Sequence, residues 1–275
     1  MILKDSRPAI ASEFAVIQGH RIEFQRIETR PGAPVMVFLH EGLGSIAMWR
    51  DFPARLAASG GFNALIYSRY GYGKSDPLES PRRPDYMHEE ASKALPELLE
   101  KLEISRPILF GHSDGASIAL LYASEHPARA VIALAPHVFV EQIAVDGVGA
   151  IRQEYASGDL RKKLARYHDH PDSAFYGWND IWLAPEFRRD WCIEEDLIRI
   201  LCPVLAVQGF HDEYGTMEQL DRMARKICDI ETLKLANCRH SPHRDQPDAL
   251  IHATLAFCSK NDRPNGKETA MHSGL

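Results

Sequence analysis

The chain has 275 residues, of which 45% are apolar and 25% are charged, a composition typical of globular proteins. This length is sufficient for one large domain or two small ones. The net charge of -6 argues against a nucleic-acid partner, which normally requires a basic surface.

The sequence also argues against a membrane partner and a secreted location. No apolar stretch reaches the roughly 18 residues that a membrane-spanning helix needs. The first ten residues, MILKDSRPAI, carry three charges and lack the apolar segment of a secretory signal. The five cysteines are scattered without a CxxC pair, which is typical of reduced thiols. We therefore expect a cytoplasmic protein.

The first predicted elements are a β-hairpin and a series of buried strands. EFAVIQ and RIEFQRIE flank Gly19-His20, a predicted tight turn. Short runs rich in Val, Ile, Leu and Phe follow, a pattern typical of parallel strands buried on both faces. These runs lie at residues 34–40, 62–68, 107–112, 130–136, 203–209 and 231–236.

Helical segments are predicted between these strands and after the last one. Those between strands are DFPARLAAS, the stretch Tyr86 to Glu103, ASIALLYASEH and MEQLDRMARKI, and PDALIHATLAFC closes the domain. Pro96 is expected to kink or divide the second helix, because proline cannot donate the helical hydrogen bond. The alternation predicts right-handed βαβ units around one mostly parallel, doubly wound sheet.

One interval, residues 137–202, is much longer than a strand-to-strand connection requires. We predict a helical cap over the carboxyl edge of the sheet, where ligands bind in open α/β sheets. The alternative is a helical subdomain that only adds stability. The core would comprise residues 1–136 and 203–259, and the polar stretch 260–275 would be a flexible tail. The interval is rich in aromatic residues: Tyr155, Tyr167, Phe175, Tyr176, Trp178, Trp182, Phe187 and Trp191.

A candidate nucleophile lies in GHSDG, residues 111–115, between a predicted strand and a predicted helix. A G-x-S-x-G motif in this context places the serine hydroxyl at the top of the sheet on a sharp turn. The glycines permit the turn and the close packing of the helix. Ser113 is therefore the predicted nucleophile. The alternative is an ordinary turn, since Gly and Ser are common in turns.

Attack by Ser113 on a carbonyl group would create an oxyanion that needs two hydrogen-bond donors. One is the backbone N–H of Asp114, at the amino end of the helix. The other is expected in FLHEGLGS, residues 38–45, from Gly42 or Leu43, with Gly42 favoured. The alternative for this segment is a plain connection between a strand and a helix.

Together, GHSDG, HEGLGS and the loop SRYGYGKSDP resemble the α/β-hydrolase fold superfamily. The resemblance covers most of the chain outside the cap and the tail. It implies the chain order nucleophile, acid, histidine. The acid follows the strand after the cap and falls on Asp212 in GFHD, with the adjacent Glu213 as the second choice. The histidine follows the last strand and falls on His240.

Two residues depart from the pattern of this superfamily. Arg239 precedes His240 where glycine is usual, and Glu41 stands where glycine is more frequent. We expect the Glu41 carboxyl to point to solvent, the alternative being a position in the substrate pocket. The residues predicted around that pocket are His40, Glu41, His112, Trp178 and Trp182, although His112 is also suited to a packing role.

The chemistry predicted for this site is that of a catalytic triad. His240 would accept the Ser113 proton, and Asp212 would orient the imidazole and stabilise its charged form. Activity would then rise with pH near the ordinary histidine pKa of about 6.5. A metal site formed by His240, His243 and Asp245 is the alternative. The predicted site needs neither a metal nor another cofactor, and we expect His240, not His243, to be the base.

A serine nucleophile directs this fold to acyl transfer. We predict hydrolysis of a small or medium carboxylic ester, lactone or thioester. One alternative is hydrolysis of a C–C bond beside a ketone in an intermediate of aromatic degradation. The alternative from another class is a hydrolase-fold protein that binds a small molecule without catalysis. Neither the oligomeric state nor the natural substrate can be read from the sequence.

Overall fold

The computed structural model describes residues 11–261 and contains one eight-stranded sheet with the order β1-β2-β4-β3-β5-β6-β7-β8. Strands β3 to β8 are mutually parallel, and β2 runs antiparallel to both β1 and β4. The predicted mostly parallel sheet is thus confirmed. The strands are β1 Glu13–Ile17, β2 His20–Ile27, β3 Val35–Leu39, β4 Asn63–Ser68, β5 Ile108–His112, β6 Ala130–Leu134, β7 Val204–Gly209 and β8 Ile230–Leu235.

The hairpin turn lies one residue earlier than predicted. Gln18 and Gly19 have φ angles of 50° and 83°, and His20 already belongs to β2. Two successive residues with positive φ are typical of the tight hairpin turn whose twist matches that of the strands. Gly19 adopts this conformation without steric cost.

Helices cover both faces of the sheet. They are α1 Phe52–Gly60, α2 Tyr86–Glu89, α3 Leu95–Lys101, α4 Asp114–Glu125, α5 Gln142–Ala156, α6 Asp159–Leu164, α7 Pro171–Leu183, α8 Pro185–Asp190, α9 Glu194–Leu197, α10 Glu218–Lys226, α11 Pro242–Asp245 and α12 Pro247–Asn261. Pro96 divides its helix as predicted: it lies in the first turn of α3, and a π-helical turn at Glu90–Ala94 joins α3 to α2.

The two faces of each central strand pack against different helices. In β5, Ile108 and Phe110 belong to an apolar core shared with α1 and α12, whereas Leu109 belongs to the core shared with α3 and α4. This two-sided burial explains why the central strands read as continuous apolar runs. Strand β8 lies at the edge of the sheet and alternates between exposed and partly buried positions.

Helices α5 to α9 form an insert between β6 and β7. Its Trp182, Phe187 and Trp191 are buried in the core that contains α3 and α4. At the other end of the chain, α12 continues to Asn261, so Lys260 and Asn261 are helical and not part of a tail. The remainder of the predicted tail lies outside the described residues. Within residues 11–261, no helix combines the length and apolar character needed to cross a membrane.

Candidate active site

Ser113 lies on a strained turn between β5 and α4. Its φ and ψ are 53° and -119°, a conformation that a non-glycine residue adopts only when the surrounding structure enforces it. The Ser113 N–H donates to the carbonyl of Leu134 at 2.9 Å, which ties the turn to β6. A Cβ at Gly115 would lie 2.1 Å from the Leu39 carbonyl oxygen. Only glycine therefore lets α4 approach β3 and hold this turn.

Asp212 and His240 form a pair at the carboxyl edge of the sheet, with the Asp212 side chain buried and the His240 side chain 12% exposed. Asp212 follows β7, and its Oδ1 lies 2.8 Å from the Nδ1 of His240. The same carboxylate accepts hydrogen bonds from the Tyr214 N–H at 2.8 Å and from Gln208 Nε2 at 3.2 Å. These bonds fix the carboxylate and, through it, the orientation of the imidazole ring.

The contact between Asp212 and His240 also shifts the pKa values of both groups. Burial opposes charge on Asp212, but the charge and hydrogen bond of His240 hold the pKa of Asp212 below its ordinary value. Burial likewise favours neutral His240, but the charge and hydrogen bond of Asp212 raise the pKa of His240 above its ordinary value. Each partner thus stabilises the charged form of the other.

Ser113 and His240 line the same cavity, which has a volume of about 110 Å³. Because Asp212 engages Nδ1 of His240, Nε2 is the ring nitrogen available to the serine. The Ser113 hydroxyl makes no hydrogen bond to another described residue, and such bonds often tighten only when substrate binds. The cavity is lined by Glu41, Gly42, Leu43, Ser113, His137, Ala144, Val148, Ile151, Trp178, Trp182, Tyr214 and His240.

The raised pKa of His240 predicts the pH dependence of activity. A general base must be neutral to accept a proton, so activity appears as the pH rises and His240 loses its proton. Because Asp212 raises this pKa, we expect the rising limb of kcat/KM to have its midpoint above about 6.5. A pH profile of kcat/KM with a short neutral ester measures this midpoint. Flat activity from about pH 5 to pH 8 would contradict the role of His240.

The predicted oxyanion donors lie on two sides of Ser113. Asp114 is the first residue of α4, where backbone N–H groups carry a partial positive charge. Gly42 and Leu43 follow β3 and line the cavity. The N–H groups of Asp114, Gly42 and Leu43 donate to no other group within residues 11–261. All three N–H groups are therefore available to an oxyanion. Either Gly42 or Leu43 can provide the second donor beside Asp114.

We expect Gly42→Ala to impair activity strongly, because a Cβ at this position would lie 2.1 Å from Trp178 Nε1. Displacing Trp178 or the loop would misplace an oxyanion donor, and loss of one donor lowers kcat by about 10²–10³-fold. Overpacking should also lower the free energy of unfolding by about 1–3 kcal/mol. Ester kinetics and denaturant unfolding measure both effects. Gly149→Ala is the control, since its Cβ would contact nothing within 4 Å, and unchanged kinetics in both variants would contradict the packing argument.

The side chain of Asp114 points away from the cavity into a buried polar cluster. Its carboxylate accepts hydrogen bonds from the Tyr86 hydroxyl at 2.7 Å and from Trp182 Nε1 at 3.2 Å. An Arg69 guanidinium nitrogen lies 3.8 Å from the same carboxylate, and both charged side chains are almost fully buried. This cluster links the turn after Ser113 to β4 and to the insert helix α7, and the sequence analysis did not identify it.

Of the five residues predicted around the pocket, Glu41, Trp178 and Trp182 line the cavity, whereas His40 and His112 do not. The prediction that His40 and His112 line the substrate pocket is therefore wrong, because both rings lie behind the residues that form the cavity wall. His40 Nε2 accepts the Arg69 N–H at 3.0 Å. His112 Nε2 lies 2.7 Å from the carbonyl oxygen of His240, so His112 supports the loop that carries the predicted base.

The expectation that Glu41 points to solvent is also wrong. Its Oε2 lies 3.4 Å from His112 Nδ1, and its Oε1 lies 3.4 Å from an Arg244 guanidinium nitrogen. Burial favours the neutral acid, but the hydrogen bond and charge of His112, with the charge of Arg244, hold the pKa of Glu41 well below its ordinary value. Glu41 therefore presents an ionised carboxylate at the wall of the cavity.

The three residues of the alternative metal site have separate partners. His240 contacts Asp212 at 2.8 Å. The His243 ring is buried and packs on Trp49 at a centroid distance of 4.8 Å. Asp245 accepts the Arg239 N–H at 2.7 Å. Pro242 does not prevent a regular element here, because it starts the short helix α11, whose first residue needs no donor.

His137, Tyr214 and the apolar residues of α5 also line the cavity, although the sequence did not predict them there. His137 comes three residues after β6 ends at Leu134, at the edge of the sheet where ligands bind. That position was a usable signal for His137. The helix α5 presents Ala144, Val148 and Ile151 at helical spacing, but no sequence pattern shows that this face meets a cavity.

Comparison with known proteins shows which family matches this chain. A model described as the Alpha/beta hydrolase family matches residues 36–253. A Haemophilus influenzae protein named "Putative esterase/lipase" is 20% identical over 269 residues, which cover 87% of this chain and 88% of that protein. The enol-lactonase of Burkholderia xenovorans LB400 superposes with a TM-score of 0.69 at 20% identity, covering 90% of this chain and 100% of that chain.

A third relative matches over a shorter stretch. The 2-hydroxy-6-oxononadienedioate/2-hydroxy-6-oxononatrienedioate hydrolase of Cupriavidus pinatubonensis is 28% identical over 123 residues. The match covers 43% of this chain and 41% of that protein.

Proposed function

Because the chain belongs to the alpha/beta hydrolase family, we propose that it is a serine hydrolase that cleaves a small, uncharged carboxylic ester. Ser113 is the nucleophile, His240 the general base, and Asp212 the acid that orients the base. The observation that carries this proposal is the Asp212–His240 pair, joined at 2.8 Å, together with a serine on a strained turn that lines the same cavity as His240. A ligand-binding protein without catalysis would need neither the pair nor the strain.

Acylation begins when His240 Nε2 takes the proton of Ser113 as the hydroxyl oxygen attacks the ester carbonyl carbon. The resulting imidazolium is stabilised by Asp212, whose pKa is held low. The oxyanion is stabilised by the N–H of Asp114 and by that of Gly42 or Leu43. His240 then returns the proton to the leaving alcohol, and Ser113 retains the acyl group.

Deacylation repeats these steps with water. His240 removes a proton from the water molecule, which attacks the acyl carbonyl carbon. The second tetrahedral intermediate uses the same oxyanion donors. It collapses to the free carboxylic acid when His240 protonates Ser113 Oγ.

The cavity supports a small and uncharged substrate. Its volume of about 110 Å³ is below the several hundred Å³ usual for ligand pockets. Leu43, Ala144, Val148, Ile151 and the two tryptophans make its wall largely apolar, and no Lys or Arg lines it. The ionised Glu41 carboxylate would repel a substrate that carries negative charge.

Hydrolysis of a C–C bond is the second candidate, favoured by the similarity to the Cupriavidus pinatubonensis hydrolase. The name of that relative specifies a dioate, which is a compound with two carboxylates. The lining of this cavity provides Glu41 but no Lys or Arg to receive such a dianion. An uncharged ester, or a lactone of similar size, therefore fits the site better.

We extend the proposal to the insert, residues 137–202, as a cap over the site, with residues 11–136 and 203–259 as the hydrolase core. The insert residues His137, Ala144, Val148, Ile151, Trp178 and Trp182 supply half of the twelve lining residues. A subdomain that served stability alone would not need to present side chains to the cavity. Substitutions there should alter KM among esters of different size.

A matched substrate panel tests the proposed function. Short p-nitrophenyl esters, a small lactone, an anionic hemisuccinate ester and a vinylogous diketone dioate would be compared by kcat/KM. We expect the neutral short esters to be the best substrates, and expect the anionic ester to be poor because of Glu41. Cleavage of the dioate without hydrolysis of any ester would favour the C–C reaction. Absence of turnover with every member would overturn the proposal.

A further inference from the structure

His137 is a buried imidazole in the cavity that the proposed mechanism does not use. Its side chain is 3% exposed and lines the cavity with Ser113 and His240. The ring packs against Trp182 and His240, at centroid distances of 4.9 Å and 5.8 Å. A polar group at this place is unusual, because most of the surrounding wall is apolar.

The ring of His137 is held in place by packing and by its backbone, because its nitrogens make no hydrogen bond within residues 11–261. Its backbone carbonyl accepts the Ser117 hydroxyl at 2.6 Å, and its N–H donates to the same oxygen at 3.2 Å. The ring Nδ1 is buried and has no partner among the described residues, whereas Nε2 is not fully buried and also bonds to none of them. Nε2 is therefore the ring nitrogen that a ligand can reach, and a hydroxyl that bonded to it would displace no hydrogen bond within the protein.

His137 stays uncharged at any pH at which the enzyme would work. Burial lowers the pKa of His137 to about 3, and the neighbouring His240 adds to this effect. A neutral imidazole has one N–H donor and one lone pair. A hydroxyl group can accept from the first or donate to the second, so it suits either tautomer of the ring.

The sheet order places His137 on the leaving-group side of Ser113. Strand β5 ends just before Ser113, and its neighbours are β3 on one side and β6 on the other. The oxyanion loop with Gly42 follows β3, whereas His137 follows β6, which lies between β5 and the strand β7 before Asp212. His240 must reach the leaving oxygen to protonate it. The alcohol portion of a bound ester therefore lies beside His240, on the same side as His137.

We propose that His137 is a specificity-determining residue that forms a hydrogen bond with a hydroxyl group on the alcohol portion of the ester. The preferred substrates would then be monoesters of a diol or of another hydroxylated alcohol. This inference rests on the proposed function and deepens it. The apolar wall contacts the remaining carbon atoms.

Two acetate esters of nearly equal size test this inference. In 2-hydroxyethyl acetate a hydroxyl replaces the terminal methyl of propyl acetate, and both give the same acetyl-enzyme. Acid release measured by titration gives kcat/KM for each. We expect wild type to prefer the hydroxyethyl ester by about 10-fold or more, as a site built to bind a hydroxyl rejects the analogue without it. In His137→Leu this preference should vanish or reverse.

Variant controls separate recognition from folding. His137→Gln keeps a donor and an acceptor and should retain part of the preference, whereas His137→Phe keeps the packing on Trp182 and should lose it. His126→Leu removes a second imidazole, one with an unpartnered Nε2 outside the cavity lining, and should leave both rates unchanged. Circular dichroism and thermal unfolding verify that each variant is folded.

Three outcomes would overturn the inference. A preference that is equal in wild type and His137→Leu excludes recognition of the alcohol by His137. An equal loss of rate for both esters assigns His137 a role shared by all substrates, such as binding the attacking water. If folded wild-type protein hydrolyses neither ester, the proposed function itself is wrong. This outcome differs from the first two, in which wild type still hydrolyses esters.

Discussion

Ser113→Ala should lower kcat for hydrolysis of p-nitrophenyl acetate by about 10⁶-fold, the loss typical of removing a serine nucleophile. The reason is that the variant has no group to form the acyl-enzyme. Apart from Ser113, the lining of the cavity contains no Ser, Thr or Cys that could replace the hydroxyl. A stopped-flow assay of wild type and a long incubation of the variant together cover this range of kcat. A mock purification measures the activity of contaminating enzymes.

Ser124→Ala is the matched control for this substitution. Ser124 belongs to the same helix α4, is buried, and donates a hydrogen bond to the Leu121 carbonyl at 2.8 Å, away from the cavity. We expect kcat to be unchanged in this variant. Retention of more than about one hundredth of the wild-type rate by Ser113→Ala would exclude the covalent mechanism, since nucleophile loss leaves far less.

Asp212→Asn should lower kcat by about 10⁴-fold while leaving the fold intact. Asp212 accepts the Nδ1 proton of His240 at 2.8 Å, which leaves Nε2 free to take the serine proton. An asparagine amide can donate to Nδ1 instead, and the ring proton then moves to Nε2, where it blocks proton transfer. Steady-state kinetics with p-nitrophenyl acetate measure this loss, and unfolding curves verify the fold.

Glu213→Gln is the control because Glu213 was the alternative acid in the sequence. Its carboxylate lies 2.8 Å from an Arg239 guanidinium nitrogen and accepts the His240 backbone N–H at 3.3 Å. Its carboxylate makes no hydrogen bond to the imidazole nitrogens of His240, whose Nδ1 is engaged by Asp212. We expect a loss of less than about tenfold, in the range of one lost hydrogen bond. A large loss in Glu213→Gln with a small loss in Asp212→Asn would reverse the assignment.

The fold could be predicted from local patterns, because strands that are buried on both faces of the sheet appear in the sequence as continuous apolar runs. The runs at 107–112 and 130–136 became β5 and β6, and Pro96 divided its helix at the expected place. The resemblance to the α/β-hydrolase fold is confirmed by the family match over residues 36–253. Strand β8 was correctly placed although its pattern alternates, since an edge strand is buried on fewer sides.

The candidate site was predicted less completely. Ser113, Asp212 and His240 lie where the motifs put them, and the structure brings them to one edge of the sheet, but their catalytic roles stay predictions. The position of Glu41 could not be inferred, because it depends on Arg244, which lies 203 residues later in the chain. A local sequence pattern does not reveal a contact between residues that are so far apart in the chain.

Side-chain direction explains the remaining errors. His40 follows β3 and His112 ends β5, both at the carboxyl edge of the sheet, yet their rings lie behind the cavity wall and bond to Arg69 and to the His240 carbonyl. His137 lies at the same edge and faces the cavity. Alternation along a strand does not extend into the irregular loops that follow, so sequence position alone does not distinguish these three histidines.

The central claim is that Ser113 becomes acylated, and covalent labelling measures this most directly. The protein would be incubated with diethyl p-nitrophenyl phosphate, which forms a phosphoryl-serine that water removes slowly. Proteolysis and mass spectrometry then locate the adduct. We predict one diethylphosphoryl group per chain, on Ser113, formed at the rate at which ester hydrolysis is lost and absent from Ser113→Ala. An adduct on another residue, or full loss of activity with Ser113 unmodified, would contradict the mechanism.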